Sequence, residues 1–459
     1  MKPSKYNFFV HYEPDDVYIG YNAVSGGLYI FNSAQYREAA GLLSGVINND
    51  LPGQVKQSLV EGRFLVADDT DEINILKLRN NLTRFNPVDL AMVISPTLEC
   101  VFDCPYCYVD REKSKMTKET INALKKFYSR KIEEANIVNV SWTGGEPLLA
   151  FDVVEELNLF FEEKAMDKSI RYKSNMITNG YLLTPPMVER VKKANIRSLQ
   201  ITLDGYKDYH DRYRYTAGGG STYQKILENV VFATENGLTV TLRTNVSKDN
   251  FEGIYQLIDE LALSGVNQSK CIFTPCMVSN IKETSKPCSC NVFTNPEFSK
   301  FEVDIILYAL KKGFGFVEQK LSAMRTYCGA NTMPLFVIDS HANVLKCWCN
   351  LGRSEKNKIG SINEEGEFII SNFNALARWM SMDPFTNSIC LECSVLPICM
   401  GGCIYYQVAD NYDSFEDGCS HLRYNLESIL KLLYISKTKT AEQLKNINLT
   451  NIGGYYEHA

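Results

Sequence analysis

From residue 89 to about residue 277 the chain alternates short apolar runs with segments of helical spacing. Six runs read as strands, at 90–95, 137–142, 172–178, 198–203, 239–244 and 270–275. Between them apolar residues recur at helical intervals. In MTKETINALKKFY, Thr117 suits an N-cap, and Ile121, Leu124 and Tyr128 fall on one face. Strands interleaved with helices predict parallel β/α units, forming either an incomplete barrel or an open sheet. Folds of that class place their chemistry at the C-terminal ends of the strands. Past about residue 318 the alternation stops. A turn-rich, cysteine-rich segment follows, in which metal would substitute for a large core.

Of the 15 cysteines, Cys100, Cys104 and Cys107 directly follow the first strand, spaced C-x3-C-x2-C. Four more form Cys390-x2-Cys393-x5-Cys399-x3-Cys403. The opening MKPSKYNFFVHYEPDD lacks the apolar run of a secretory signal, and no stretch approaches the ~20 apolar residues that span a bilayer. The expected location is cytoplasmic, where cysteines at ligand spacing are ligands or catalysts rather than disulfides. A net charge of −6 argues against nucleic acid or an anionic membrane as a partner. Three thiolates on one loop can hold three irons of a [4Fe–4S] cube and leave the fourth open. The alternative is zinc, which would need a fourth nearby ligand, and no histidine is close.

The triplet, with Tyr106 before its last cysteine, resembles that of the radical S-adenosylmethionine (SAM) superfamily. The second strand runs into Thr143-Gly144-Gly145-Glu146-Pro147, which is similar to that family's GGEP motif. The resemblance implies an α/β fold with a partial (β/α)6 TIM-like barrel. It also implies that the GGEP turn receives the methionine amino group of SAM. Glycines there would let backbone carbonyls approach the ligand, and Glu146 could pair with the ammonium. Thr178 and Asn179 end the third strand, Thr202 and Asp204 the fourth, and Arg243 the fifth. By resemblance these, with Tyr106, line the SAM pocket and a peptide channel. The implied chemistry is one-electron cleavage of SAM at Cys100, Cys104 and Cys107, giving a 5′-deoxyadenosyl radical that abstracts a substrate hydrogen.

Cys328, Cys347, Cys390, Cys393, Cys399, Cys403 and Cys419 are similar to the SPASM pattern of peptide-modifying radical SAM enzymes, with Ala342 where the pattern has glycine. The resemblance implies two auxiliary [4Fe–4S] clusters in residues 318–420, three in all. Cys390, Cys393, Cys399 and Cys419 would hold one; Cys328, Cys347 and Cys403 would hold the other. Its fourth position is left to Cys349 or to a substrate thiolate. A reading in which the two thiols of C-x-C point to opposite sides favours the open iron. Two zinc ribbons are the alternative for the whole set. Cys271, Cys276, Cys288 and Cys290 stay unassigned.

Residues 1–88 form a candidate module of their own, ahead of a core at 89–317, a cysteine-rich segment at 318–420 and a C-terminal helix and tail at 421–459. Strands are expected at 8–12, 17–21 and 27–31, then a helix capped by Asn32 or Ser33. A second helix would start at Pro52, carry Val55 and Leu59, and end at Gly62 before a strand at 64–67. This winged-helix-like pattern, with LVEGRFLVADDTDE, resembles leader-recognition units of ribosomal-peptide maturases, which take up a leader as an added strand. The alternative is a structural cap on the barrel. The resemblance therefore implies a maturase that installs a thioether between a cysteine sulfur and an unactivated carbon of a precursor peptide. A carbon–carbon crosslink is the nearest alternative. Partners would be a leader-bearing precursor and a reductant such as flavodoxin or ferredoxin. An anaerobic sulfatase-maturing enzyme shares both cysteine patterns, but an aspartate usually follows its second SPASM cysteine, where this chain has Trp348.

Overall fold

The computed structural model describes residues 1–43, 53–86, 88–278, 290–315, 321, 323–353, 355–408 and 415–453. Its N-terminal module opens with β1 (Lys2–Pro3) and an antiparallel meander of β2 (Asn7–Tyr12), β3 (Val17–Asn22) and β4 (Gly27–Asn32). Then come α1 (Ser33–Leu43), α2 (Gly53–Glu61), β5 (Leu65–Val66), which pairs with β1, and α3 (Glu72–Phe85), capped by Asp71. The expected helix start at Pro52 lies outside the described residues. Period-two alternation gives the meander two apolar faces. Phe9 and Phe31 pack toward α1 and α2 on one side, while Val10, Tyr12, Ile19 and Tyr21 join a different cluster on the other.

The core alternates β6 (Asp89–Ile94), α4 (Lys118–Lys131), β7 (Ile137–Trp142), α5 (Phe151–Asp167), β8 (Arg171–Thr178), α6 (Pro185–Lys193) and β9 (Ser198–Thr202). It continues through α7 (Lys207–Tyr213), α8 (Tyr223–Glu235), β10 (Thr239–Val246), α9 (Gly253–Leu263), β11 (Cys271–Met277) and α10 (Asn295–Lys311). Thr117 caps α4, accepting from Thr120 N. The six strands are parallel and lie in chain order.

The sheet stays open, and it does not stop at the sixth strand. β12 (Leu335–Ile338) pairs parallel to the free side of β6, and β13 (Asn343–Leu345), β14 (Gly360–Ile362) and β15 (Phe368–Ile370) continue antiparallel to a total of ten strands. The expectation that residue 318 begins a separate segment with little core is corrected here. Strands of three or four residues are too short to show a period in sequence, yet they share the core's sheet.

Register divides the parallel strands into two faces. Leu90, Met92, Val138, Val140, Leu199, Val240 and Leu242 pack in the main apolar cluster. The opposite face carries Asn139, Asn175, Gln200, Thr241, Arg243 and Thr274, none of them fully buried. A closed β/α barrel fills its interior with branched aliphatic side chains. A polar, accessible inner face is instead suited to hold a ligand.

After the sheet come α11 (Phe373–Met380), α12 (Ser388–Glu392), α13 (Leu396–Cys399), α14 (Ile404–Val408), α15 (Leu422–Thr438) and α16 (Ala441–Lys445). α15 is no loose tail: Leu426, Ile429, Leu430 and Leu433 share one cluster with the meander and α10. Tyr434 donates to Asp15 Oδ2 at 2.7 Å, and Lys439 Nζ lies 2.6 Å from Asp15 Oδ1. Among the described residues no helix is long and apolar enough to cross a membrane.

Candidate active site

The loop after β6 presents Cys100, Cys104 and Cys107 beside the C-terminal ends of β7, β8 and β9. Its path is held by the GGEP turn. Gly145 N donates to Thr97 O at 3.1 Å and Glu146 N to Glu99 O at 2.8 Å. Gly144 sits at φ +120°, and a Cβ there would lie 2.0 Å from Ser95 Oγ; one on Gly145 would lie 2.1 Å from Glu99 O. The glycines thus serve close approach of two chain segments, where the sequence suggested approach of a ligand. Glu146 is fully buried and both its oxygens are engaged: Oε1 accepts from Leu148 N at 3.0 Å and Thr178 Oγ1 at 2.7 Å, Oε2 from Asn179 N at 2.8 Å. It joins the end of β7 to the end of β8, with Pro147 buried behind it.

The surroundings of the triplet are donors and cations. Phe102 N lies 3.4 Å and Asn179 Nδ2 3.8 Å from Cys100 Sγ. Arg111 pairs with Asp103 on the same loop, and Arg214 stacks on Phe102 with its guanidinium carbon 5.7 Å from the ring centre. Burial, with Glu146 nearby, pushes the Cys100 thiol up to about 11, and burial pushes Cys104 up to about 12. Such thiols are protonated and inert until a metal displaces the proton. Three thiols ringed by donors and cations suit an anionic iron–sulfur cluster.

A buried network fixes the far wall. Tyr106 donates to Asp204 Oδ2, Arg214 Nη1 donates to the Tyr106 hydroxyl at 3.3 Å, and Asn245 N donates to Asp204 Oδ1 at 2.8 Å. Asp204 N donates to His210 Nδ1 at 3.2 Å, which leaves the proton on Nε2 to face Thr222 Oγ1 at 3.1 Å. Burial and then Arg214 hold His210 well below its ordinary pKa, so it is the neutral ring that makes these bonds. Arg214 and His210 were not singled out in sequence. They follow the Asp204-Gly205 turn in YHDRYRY, whose periodicity reads as a short surface helix. Thr202 sits buried at the end of β9.

The remaining cysteines separate into two sets. The outer set, Cys390, Cys393, Cys399 and Cys419, lines one pocket together with Arg423, whose Nη1 lies 3.6 Å from Cys419 Sγ. The inner set gathers Cys328, Cys347, Cys349 and Cys403 around Trp379, Ile404 and Tyr405. The turn Met400-Gly401-Gly402, all at positive φ, carries the chain from one set to the other; a Cβ on Gly402 would meet Gly418 O at 2.0 Å. Among the described residues no three His, Cys, Asp or Glu side chains are close enough to share one metal ion; a cube spreads its ligands wider than a single tetrahedral ion.

The argument for an open iron is corrected. Trp348–Asn350 forms a 3-10 turn rather than an extended strand. Cys349 therefore folds back and hydrogen-bonds the Cys347 side chain. Tyr108 has Cys349 and Cys107 among its ionisable neighbours, and Arg243, on the inner face, has Cys276, Tyr108, Asp204 and Cys349 among its charged or ionisable neighbours. Arg353 donates to the Tyr405 hydroxyl at 2.8 Å and to Tyr108 O at 3.2 Å. Of the four unassigned cysteines, Cys276 belongs to this rim, Cys271 is buried in the apolar core, Cys290 is disulfide-bonded, and Cys288 lies outside the described residues.

Comparison with known proteins agrees. Residues 94–261 match the model of the Radical SAM superfamily. A cysteine-type anaerobic sulfatase-maturating enzyme of Clostridium novyi (strain NT) is 24% identical over 386 residues, 77% of this chain and 99% of that protein. The fold is shared with the anSMEcpe structure with bound AdoMet (TM-score 0.59, 18% identity, 76% of this chain and 99% of that one). It is shared also with Streptococcus suis SuiB bound to precursor peptide SuiA (TM-score 0.53, 16% identity, 90% and 99%).

Proposed function

The chain carries a radical SAM domain over residues 94–261, and on that premise we propose that it is a peptide maturase that crosslinks a leader-bearing precursor. Bound at Cys100, Cys104 and Cys107, a [4Fe–4S] cluster and SAM would supply one-electron cleavage of SAM and hydrogen-atom abstraction from the peptide. The protein's own part is binding and positioning. Phe102 N and Asn179 donate toward the Cys100 sulfur. The Tyr106–Asp204–Arg214–His210 network holds the rim rigid. Asn139, Asn175, Gln200 and Thr241 offer the inner face's amides and hydroxyls to an extended peptide backbone, and Arg243 offers a cation beside Cys276 and Cys349.

The observation that carries this reading is Tyr108. Its ionisable neighbours include both Cys107 of the first loop and Cys349 of the inner set, which supports a substrate position within reach of both. Clusters would be held by Cys328, Cys347, Cys349 and Cys403, and by Cys390, Cys393, Cys399 and Cys419, which makes three with the first. The leader would add to β4, an edge strand of the meander with half-exposed Leu28 and Ile30. Support for a leader module comes from coverage: the SuiB structure takes in 90% of this chain, the anSMEcpe structure 76%. A thioether is the proposed product. The second reading, a carbon–carbon crosslink, is favoured by Cys349 filling the position that a substrate thiolate would need.

The test is anaerobic reconstitution with SAM, dithionite and a leader-bearing precursor. The expected outcome is 5′-deoxyadenosine and a peptide lighter by two hydrogens. Exchange of sulfur for oxygen with loss of two hydrogens in a sulfatase peptide, with no reaction on the precursor, would establish sulfatase maturation instead.

A further inference from the structure

Lys346 has no part in the site described so far, yet it is only 1% exposed. Its Nζ donates to Thr332 O and, at 2.8 Å, to Leu335 O. Both acceptors are neutral carbonyls, and among the described residues Lys346 makes no ion pair. A buried ammonium without a counter-ion is costly, by several kcal/mol in order of magnitude. Either the amine gives up its proton or an anion stands close by to offset the cost. Lys346 immediately precedes Cys347, and Thr332, whose carbonyl it holds, lies four residues after Cys328. Both cysteines belong to the inner set.

We infer that Lys346 is the built-in countercharge of the inner iron–sulfur site and raises its reduction potential. The inference rests on the reading of Cys328, Cys347, Cys349 and Cys403 as cluster ligands. Four thiolates give such a site net negative charge, and each added electron increases it. A cation fixed in low-dielectric surroundings favours the more negative, reduced form. The two carbonyl bonds hold the ammonium at a set place, so its effect cannot be lost by the side chain swinging into solvent. The outer set has a different arrangement. Its cation, Arg423, keeps 31% of its side chain exposed and is screened by water and salt. The inner potential should therefore be the higher of the two auxiliary potentials and the less sensitive to salt.

The experiment uses the full chain, reconstituted anaerobically, with iron counted first and potentials read by EPR-monitored redox titration. Lys346→Gln keeps a donor for the carbonyls and removes the charge; Lys346→Arg keeps the charge. Expected are wild-type iron in both variants, a shift of the inner potential to more negative values in Lys346→Gln alone, and an unmoved outer potential. Loss of inner-site iron in Lys346→Gln but not in Lys346→Arg supports the same role. An unchanged potential in Lys346→Gln, or equal iron loss in both variants, overturns it and leaves Lys346 a structural tie. Wild-type protein with only four irons would instead overturn the underlying cluster reading.

Discussion

The two auxiliary cysteine sets use the same residue type and differ in everything around it. The outer set shares an apolar cluster with the N-terminal meander and α15, and its cation Arg423 meets solvent. The inner set faces the lumen through Cys349, Tyr108 and Arg243, and its cations Lys346 and Arg353 are buried. Coulomb interactions are screened at the first site and strong at the second. The lesson is a division of labour: a near-surface site suited to exchange electrons with a protein reductant, and a dry site suited to act on whatever occupies the lumen.

The strongest way to break the comparison is to remove one ligand from each set. Cys347→Ala should lose up to four irons and abolish peptide modification while SAM cleavage persists. Cys393→Ala should lose as many and slow turnover with a protein reductant more than with dithionite. Equal effects in both assays would erase the distinction. Cys349→Ala should be milder, losing at most about one iron. It should alter the inner EPR signal and open a position to added thiols; an unchanged signal would remove Cys349 from the ligand set.

Loosening the module should reach the outer set first. Asp15→Asn removes the partner of Lys439 and Tyr434 and should lower stability by about 1 kcal/mol, read as a lower denaturation midpoint. Burial alone would raise the Asp15 pKa, but the bonds from Lys439 and Tyr434 outweigh it and hold it below the usual carboxylate value. This contribution is thus present above about pH 4 and lost as pH falls below it. Acid should weaken the wild type more than Asp15→Asn in that window. Similar in magnitude and opposite in sign is Ala342→Gly. Ala342 stands at φ +61° in the β12–β13 hairpin beside the inner set. Glycine there should stabilise the fold by about 1 kcal/mol in a denaturant titration.

Ala342 also shows how far the sequence could be read. The departure from the family glycine was visible; that the position demands a left-handed backbone was not. The six parallel strands were legible to within about two residues, because each is five to eight residues long and is followed by a helix with its own period. β12 to β15 were hidden because three or four residues carry no period. Cys100, Cys104 and Cys107 stood out by spacing alone. Arg214, His210, Tyr108 and Lys346 did not, because their roles depend on partners in other segments, 14 residues away for Lys346 to Thr332, 108 for Tyr106 to Arg214 and 245 for Tyr108 to Arg353. The C-x-C inference failed on two counts: residues i and i+2 of an extended strand share a face, and the chain makes a turn there instead.

The central claim is one three-thiol site and two four-thiol sites in a single chain. The most direct measurement is iron content and 5′-deoxyadenosine yield of the reconstituted wild type beside the Cys100→Ala/Cys104→Ala/Cys107→Ala variant. The prediction is about twelve irons falling to about eight, with SAM cleavage lost completely. About four irons in the wild type, or 5′-deoxyadenosine from the triple variant, would contradict it.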